Sequence, residues 1–206
     1  MQSRNLKTTS SSKKKRKPGN TAAHFETQQQ QQQVKQQPHQ PFHDPNCNFC
    51  KILQGQLPSS TVYEDDVCQV ILDIHPITKG HMLILPKQHF QSVMSVGMTQ
   101  EMSMHMMRLA HLITMALTKL KKEQDPCHGT NLLMNNGSAA WQTVPHAHLH
   151  VIPRRNGDSV RFVVGIVRHL LAIMGLARPK KQQDLDQVAQ QLRQVLVQEI
   201  QAKQRL

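Results

Sequence analysis

The run HAHLHVIP at residues 146–153 constrains this chain more than any other feature. Histidine alternates there with an apolar residue, and a strict period of two is that of a β-strand, whose successive side chains point to opposite faces. In a strand, His146, His148 and His150 line one face while Ala147, Leu149 and Val151 line the other. Alternate residues stand roughly 6.5 to 7 Å apart, which puts the outer two rings on the order of 13 Å from each other. Three histidines so spaced cannot hold one metal ion equivalently. They suit phosphorus better: neutral imidazole is a nucleophile near neutral pH, and imidazolium, hydroxyl and backbone N–H groups stabilise charge growing on phosphate oxygens. A lone strand histidine is usually structural, but three in register after NNGSAAWQT (135–143) mark a reactive face.

The flanking segments supply the rest of a domain. VCQVILDI (67–74) and HMLILPK (81–87) are short β-prone runs separated by Pro76, Thr78, Lys79 and Gly80, which predicts a hairpin or meander. Thr99 is placed to cap a helix with Glu101 in its first turn. Met102, Met106, Leu109, Ile113, Leu117 and Leu120 then recur at helical spacing, a methionine-rich stripe that reads as core packing. NLLMNN (131–136) and HAHLHVIP follow as β-prone runs, so the order strands, helix, strands predicts an α+β arrangement. From Asp184 to Ile200 one helical face carries Leu185, Val188, Leu192, Val195, Leu196 and Ile200, predicting a docked helix or a partner surface. The most apolar run, 162–177, is interrupted by Arg168 and His169 and is shorter than the roughly 20 residues that cross a bilayer. We expect a core or surface-packed helix there and no membrane span.

The formal net charge of +12 sits mostly at the ends of the chain: basic residues outnumber acidic ones eight to two in 1–45, nine to eight in 46–160, and eight to three in 161–206. A nearly neutral centre reads as a small-molecule domain, whereas basic tails attract nucleic acid, an acidic membrane or an import receptor, or are simply sticky. Residues 1–45 combine Ser, Thr and Lys with the run Gln28–Gln33 and bury too little apolar surface to order, so they are read as a disordered tail. Within them KKKRKP (13–18) resembles a nuclear import signal, with a solvated charge run as the plain alternative. Residues 46–160 form the expected catalytic domain and 161–206 a basic helical extension. Cys47, Cys50, Cys68 and Cys127 are too few and scattered for a secreted disulfide scaffold, and the polar N-terminus has no apolar signal segment; an intracellular location, cytoplasmic or nuclear, is expected.

HAHLHVI resembles the signature of the histidine-triad (HIT) superfamily, His-φ-His-φ-His-φ-φ with φ apolar. The likeness runs through CNFCKILQGQLPSSTVYEDD (47–66), LDIHPITKGHMLILPKQH (72–89) and LLMNNG (132–137), and is strongest to the branch of purine-nucleotide phosphoramidases and diadenosine polyphosphate hydrolases. The resemblance implies an α+β fold: an antiparallel sheet of about five strands, with a long helix and a C-terminal helix packed on it, in a homodimer. It implies that His148 is the nucleophile, forming a nucleotidyl-histidine on the α-phosphorus that water resolves. It places His150 and His81 against the phosphate, and Gln142 and Thr143 on the phosphate and leaving group. Asp73 would bind the ribose hydroxyls, Ile74 would pack near the base, and Asn135 would support the phosphate end. Two positions depart from the pattern. Trp141 stands where the family usually has Gly, so that it narrows the pocket, stacks on a base or faces a dimer partner. His75 replaces a residue that is commonly Asn, Ser or Gln.

Cys47 and Cys50 form a C-x-x-C pair, alone a weak signal for zinc, redox chemistry or chance, and no strand precedes it as a redox motif requires. Zinc-containing members of the superfamily add the histidine after PK-x-H and the first triad histidine. By that resemblance Cys47, Cys50, His89 and His146 hold a structural Zn2+, while Cys68 and Cys127 are unpaired spectators. The implied function is a hydrolase or nucleotidyl transferase acting on a purine nucleotide phosphoramidate or dinucleoside polyphosphate. Two alternatives stand beside it: a catalytically weak nucleotide-binding adaptor, and a nuclear factor that processes nucleic-acid ends through its basic tails.

Overall fold

A computed structural model describes residues 42–119 and 126–204. The tail reading for 1–41, its KKKRKP and glutamine runs, and Leu120 of the predicted helical stripe lie outside the described residues. Five strands form one antiparallel sheet: β1 (Thr61–Glu64), β2 (Cys68–Leu72), β3 (Met82–Pro86), β4 (Gly129–Leu133) and β5 (Leu149–Arg154), in the order β1-β2-β3-β5-β4. The helices are α1 (Asn48–Leu53), α2 (Gln100–Lys119), α3 (Ser159–Ile173) and α4 (Gln182–Gln204), with a 3-10 turn at Ser138–Ala140. This is the expected α+β architecture, with the predicted β2–β3 hairpin paired Val70 to Ile84.

Alternation along the strands separates two faces. Cys68, Val70, Leu72, Met82, Ile84, Leu149 and Val151 meet Leu109, Ile113 and Leu117 of α2 and Leu185, Leu192 and Leu196 of α4 in the main core. Burying each of these larger side chains stabilises the fold by about 1.5–3 kcal/mol. The hydroxyl of Thr99 accepts from Met102 N–H at 3.2 Å and so caps α2 as its sequence predicts. The last helix is a docked one: Ser60 donates to Asp186 at 2.7 Å and Lys119 of α2 pairs with the buried Glu199. On the opposite face, Ile71, Leu83 and Leu85 are covered by Cys47, Phe49 and Cys50 of the α1 region. That second face carries His150, paired across the ladder to Leu83.

Three expectations change. The fourth strand starts two residues before NLLMNN, and the regular part of β5 starts only at Leu149, so His146 and His148 lie in the approach to the strand. The apolar run 162–177 is helical over 159–173 but is not packed all round. Only Gly165 of α3 is buried, and Val160, Val163, Val164, Val167 and Leu171 lie exposed along one side. No helix among the described residues is long and apolar enough to cross a membrane.

Candidate active site and metal centre

The approach to β5 bends because its backbone is tied to the preceding loop: Ala147 N–H donates to Phe90 O at 2.6 Å. The bend splits the histidine run. His148 and His150 stay together, their ring centroids 4.9 Å apart rather than the 6.5 to 7 Å of a flat strand. His146 turns to the cysteine pair, so the expectation of three rings on one shared surface is corrected to two rings plus a metal-type donor.

The hydrogen bonds order the protons of these rings. Nδ1 of His148 lies 2.6 Å from the carbonyl of His146, and a carbonyl only accepts, so the proton is on Nδ1 and the lone pair on Nε2. The ring is buried, with 5% exposure. Its Nε2 has no hydrogen-bond partner among the described residues, and the only sealed, unpartnered side-chain nitrogen or oxygen there is His43 Nδ1. That nitrogen is therefore not sealed from solvent. Burial, the largest cause, pushes the His148 pKa below the ordinary histidine value, which keeps the ring neutral at neutral pH.

His81 and His150 form a second ordered pair. Ile77 N–H donates to Nδ1 of His81 at 3.2 Å, which leaves the proton of a neutral His81 on Nε2. That nitrogen donates to Nδ1 of His150 at 2.9 Å, leaving the His150 proton on Nε2. Burial drives His81 down to about 4. It also lowers His150, helped by the neighbouring His81 and His148 rings. Asp73 Oδ2 stands 3.6 Å from Nδ1 of His81, a geometry that would admit an ion pair, but the Ile77 N–H already occupies that nitrogen and favours the neutral ring. Burial opposes ionisation of Asp73. The His81 and His169 rings and the His75 N–H, 2.7 Å from Oδ1, outweigh it and hold the carboxyl below its usual range.

The remaining expected residues are less uniformly placed. Gln142 is spent on the loop: its Oε1 accepts from Gly137 N–H at 2.7 Å and its Nε2 donates to the carbonyls of Gln91 and Val144. With both ends of its amide on backbone partners, it braces residues 137–144. Thr143 is exposed beside it. Ile74 is 46% exposed, as a wall for a flat ligand would be. Asn135 reaches only Trp141 O, at 3.5 Å. Trp141 itself has φ 62°, the sole positive φ among described non-glycine residues. That left-handed backbone accounts for glycine as the usual residue there. Its side chain is 63% exposed. His169 on α3 was not singled out by its sequence pattern, yet its ring centroid lies 5.9 Å from that of His81 and 6.3 Å from that of His150.

Cys47, Cys50, His89 and His146 converge from α1, the loop after β3 and the approach to β5, all four buried, with donor atoms within 4.8 Å of one another. Cys47 Sγ is 3.5 Å and Cys50 Sγ 3.6 Å from Nδ1 of His146, and Cys50 Sγ is 3.3 Å from Nδ1 of His89. Tetrahedral bonds near 2.0–2.3 Å imply ligand-to-ligand edges of about 3.3–3.8 Å, so the donor set already has the size of a tetrahedral metal site. The outer contacts match it too: His146 Nε2 donates to Pro86 O at 2.9 Å, freeing Nδ1 as a ligand, and Asp44 N–H donates to Cys50 Sγ at 3.4 Å. Burial raises the Cys50 thiol to about 11, a penalty that a bound cation would cancel. Cys68 is a core residue whose thiol burial pushes up to about 12, and Cys127 donates to Gly129 O.

A family model described as HIT domain matches residues 54–157. Adenylylsulfatase HINT3 of Arabidopsis thaliana is 37% identical over 128 residues, 62% of this chain and 62% of that protein. Adenosine 5'-monophosphoramidase HNT1 of Candida albicans is 35% identical over 112 residues, 54% of this chain and 72% of that protein. Among solved structures, a Zn-bound histidine triad family protein from Mycobacterium smegmatis superposes with a TM-score of 0.59 at 32% identity, covering 76% of this chain and 97% of that one. With its triad, its five-stranded antiparallel sheet and these matches, the chain belongs to the histidine-triad family.

Proposed function

We propose that the chain is a nucleotide hydrolase or nucleotidyl transferase that attacks the α-phosphorus of a purine nucleotide phosphoramidate or dinucleoside polyphosphate through His148. The observation that carries this reading is the tautomer of His148, whose Nδ1–H is tied to a carbonyl and whose Nε2 lone pair is left unpartnered and open to solvent. Nε2 forms the N–P bond as the P–N or P–O bond to the leaving group breaks. The leaving group takes a proton from solvent water; a second water then cleaves the N–P bond, its oxygen going to phosphorus and its proton to solvent, and restores the imidazole. His150 presents Nε2–H to a phosphate oxygen, a preset donor where charge develops. The relatives named adenylylsulfatase and adenosine monophosphoramidase support adenylyl compounds as substrates.

Cys47, Cys50, His89 and His146 would hold one structural Zn2+, a reading supported by their edge lengths and by the zinc-bound relative. For assembly we propose a homodimer through β4 and α2, supported by exposed Leu132 and Leu133 on the sheet edge and exposed Met104 and Met107 on the helix. A cytoplasmic or nuclear location, with the basic tail meeting nucleic acid or an import receptor, is proposed from the sequence alone.

The test is rapid mixing with adenosine 5'-phosphoramidate or diadenosine polyphosphate, acid quench and peptide mass spectrometry. The expected result is an adenylyl adduct on His148, and loss of turnover by about 10³-fold or more in His148→Ala. No turnover of either substrate by the wild type, or equal rates in the variant, refutes the proposal.

A further inference from the structure

The family match ends at residue 157, yet the imidazole cluster does not. Helix α3 begins at Ser159 and brings His169 into the cluster, within ring contact of His81 and His150. Two contacts fix it. Gly165 lies so close to the 73–81 loop that a Cβ on it would stand 2.0 Å from Ile77 O, which presses the helix backbone onto the loop carrying Asp73. One turn further, His169 Nδ1 lies 2.7 Å from His75 O and must donate to it. In the neutral ring Nε2 is then a hydrogen-bond acceptor. It has no partner among the described residues and is not one of the sealed atoms. The ring lines a hollow with Ile74, His75, Arg168, Arg178 and Lys180, and it stands close enough to Asp73 to act on its charge.

If Asp73 binds the ribose, as the resemblance implies, an acceptor beside it would meet the sugar of a bound nucleotide. We propose that His169 is a specificity-determining residue: its Nε2 accepts a hydrogen bond from a ribose hydroxyl alongside Asp73, so that a helix outside the matched domain makes the site selective for ribonucleotides over deoxyribonucleotides. The proposal rests on the nucleotide-site reading above but not on the covalent chemistry. The backbone of His75 links the two: its N–H holds Asp73 and its carbonyl holds His169.

Calorimetric titration of the full, zinc-loaded chain with AMP, 2'-deoxy-AMP and 3'-deoxy-AMP tests it in the absence of turnover. The wild type should prefer AMP to at least one deoxy analogue. His169→Ala should weaken AMP by about 3- to 10-fold, the range of one net hydrogen bond, and leave that analogue nearly unchanged. His169→Gln, which offers an amide oxygen, should recover part of the preference. Equal weakening of all three nucleotides in both variants would mean that the ring only packs, and would overturn the proposal. So would unaltered AMP binding in His169→Ala, or a wild type that does not distinguish the three. The catalytic reading fails separately, if AMP binds with the ribose preference and no adduct forms on His148.

Discussion

Lowering the pH from 7.5 to 5 should destabilise this fold through His81 in particular. The ring is fully buried and its pKa falls from 6.5 to about 4. Between those values the unfolded chain binds a proton that the folded chain refuses, so stability falls as the pH drops through the window and levels off below it. At 1.36 kcal/mol per pH unit, the drop to about 4 costs about 3.4 kcal/mol in full and about 2 kcal/mol at pH 5. A loss of this size is a sizeable share of the roughly 5–15 kcal/mol that stabilises a typical domain. Urea unfolding of zinc-saturated wild type and His81→Gln at pH 7.5, 6 and 5 measures the effect, together with the influence of His81 on its neighbours Asp73 and His150. The variant starts lower, having lost the bonds to Ile77 and His150, but should lose about 2 kcal/mol less on acidification. The opposite sign is equally informative. If His81 were a cation paired with Asp73 at 3.6 Å, its folded pKa would be raised and acid would stabilise the wild type relative to the variant. Parallel losses in the two proteins, or that reversed sign, would refute the neutral, proton-ordered relay.

Gly165→Ala should force the Ile77 carbonyl and α3 apart by about 1.4 Å to reach ordinary contact from 2.0 Å. We expect it to lower stability by about 1–3 kcal/mol and kcat/KM by about 10- to 100-fold, because the displaced residue, through its preceding peptide, also supplies the N–H that orders His81; an unchanged Tm and rate would show that the close approach is dispensable. Trp141→Gly should raise stability by about 1 kcal/mol by relieving the left-handed backbone, with turnover retained; a drop in Tm would reveal packing by the indole, and a large rise in rate would favour the weak-adaptor reading in which the tryptophan obstructs attack. Removal of zinc by a chelator, or Cys50→Ser, should lower Tm and reduce adduct formation on His148, with about one zinc per chain measured by atomic emission in the wild type only; a metal-free chain with the same Tm would reject the structural role.

Much of the fold was legible because strands and helices impose different periods. The β-prone runs VCQVILDI and HMLILPK, separated by a turn with Pro76 and Gly80, located β2 and β3, and the stripe from Met102 to Leu117 located α2 with its Thr99 cap. Short elements were not legible in this way: TVYE and NFCKIL, at four and six residues, are too brief to express a period. At the site, pattern alone put the three triad histidines on one face, since nothing local announces the Ala147–Phe90 hydrogen bond that bends the strand. The brace that Gln142 forms with Gly137 and Val144 was not legible either, since an amide can serve a ligand or the backbone alike. His169 carried a signal that was passed over. A histidine beside an arginine in FVVGIVRHLLAI is costly on a packed face, and it marks where α3 stops packing on apolar groups and meets the reactive cluster.

The division of the triad has a mechanical consequence for the nucleophile. His146 uses three different atoms for three tasks: Nδ1 faces Cys47 and Cys50, Nε2 grips the Pro86 carbonyl at the end of β3, and its own carbonyl receives the Nδ1–H of His148. A cation held by the first of these therefore fixes the last. The hydrogen bond that selects the His148 tautomer is anchored on a residue whose side chain cannot rotate without leaving the metal site and the sheet. Phe49 adds a lateral stop, its ring edge-on to both His146 and His148 at centroid distances of 5.9 and 5.1 Å. The orientation of the His148 ring is thus set by α1, β3 and the cysteine pair, which ties the C-x-x-C pair and the triad into one constellation.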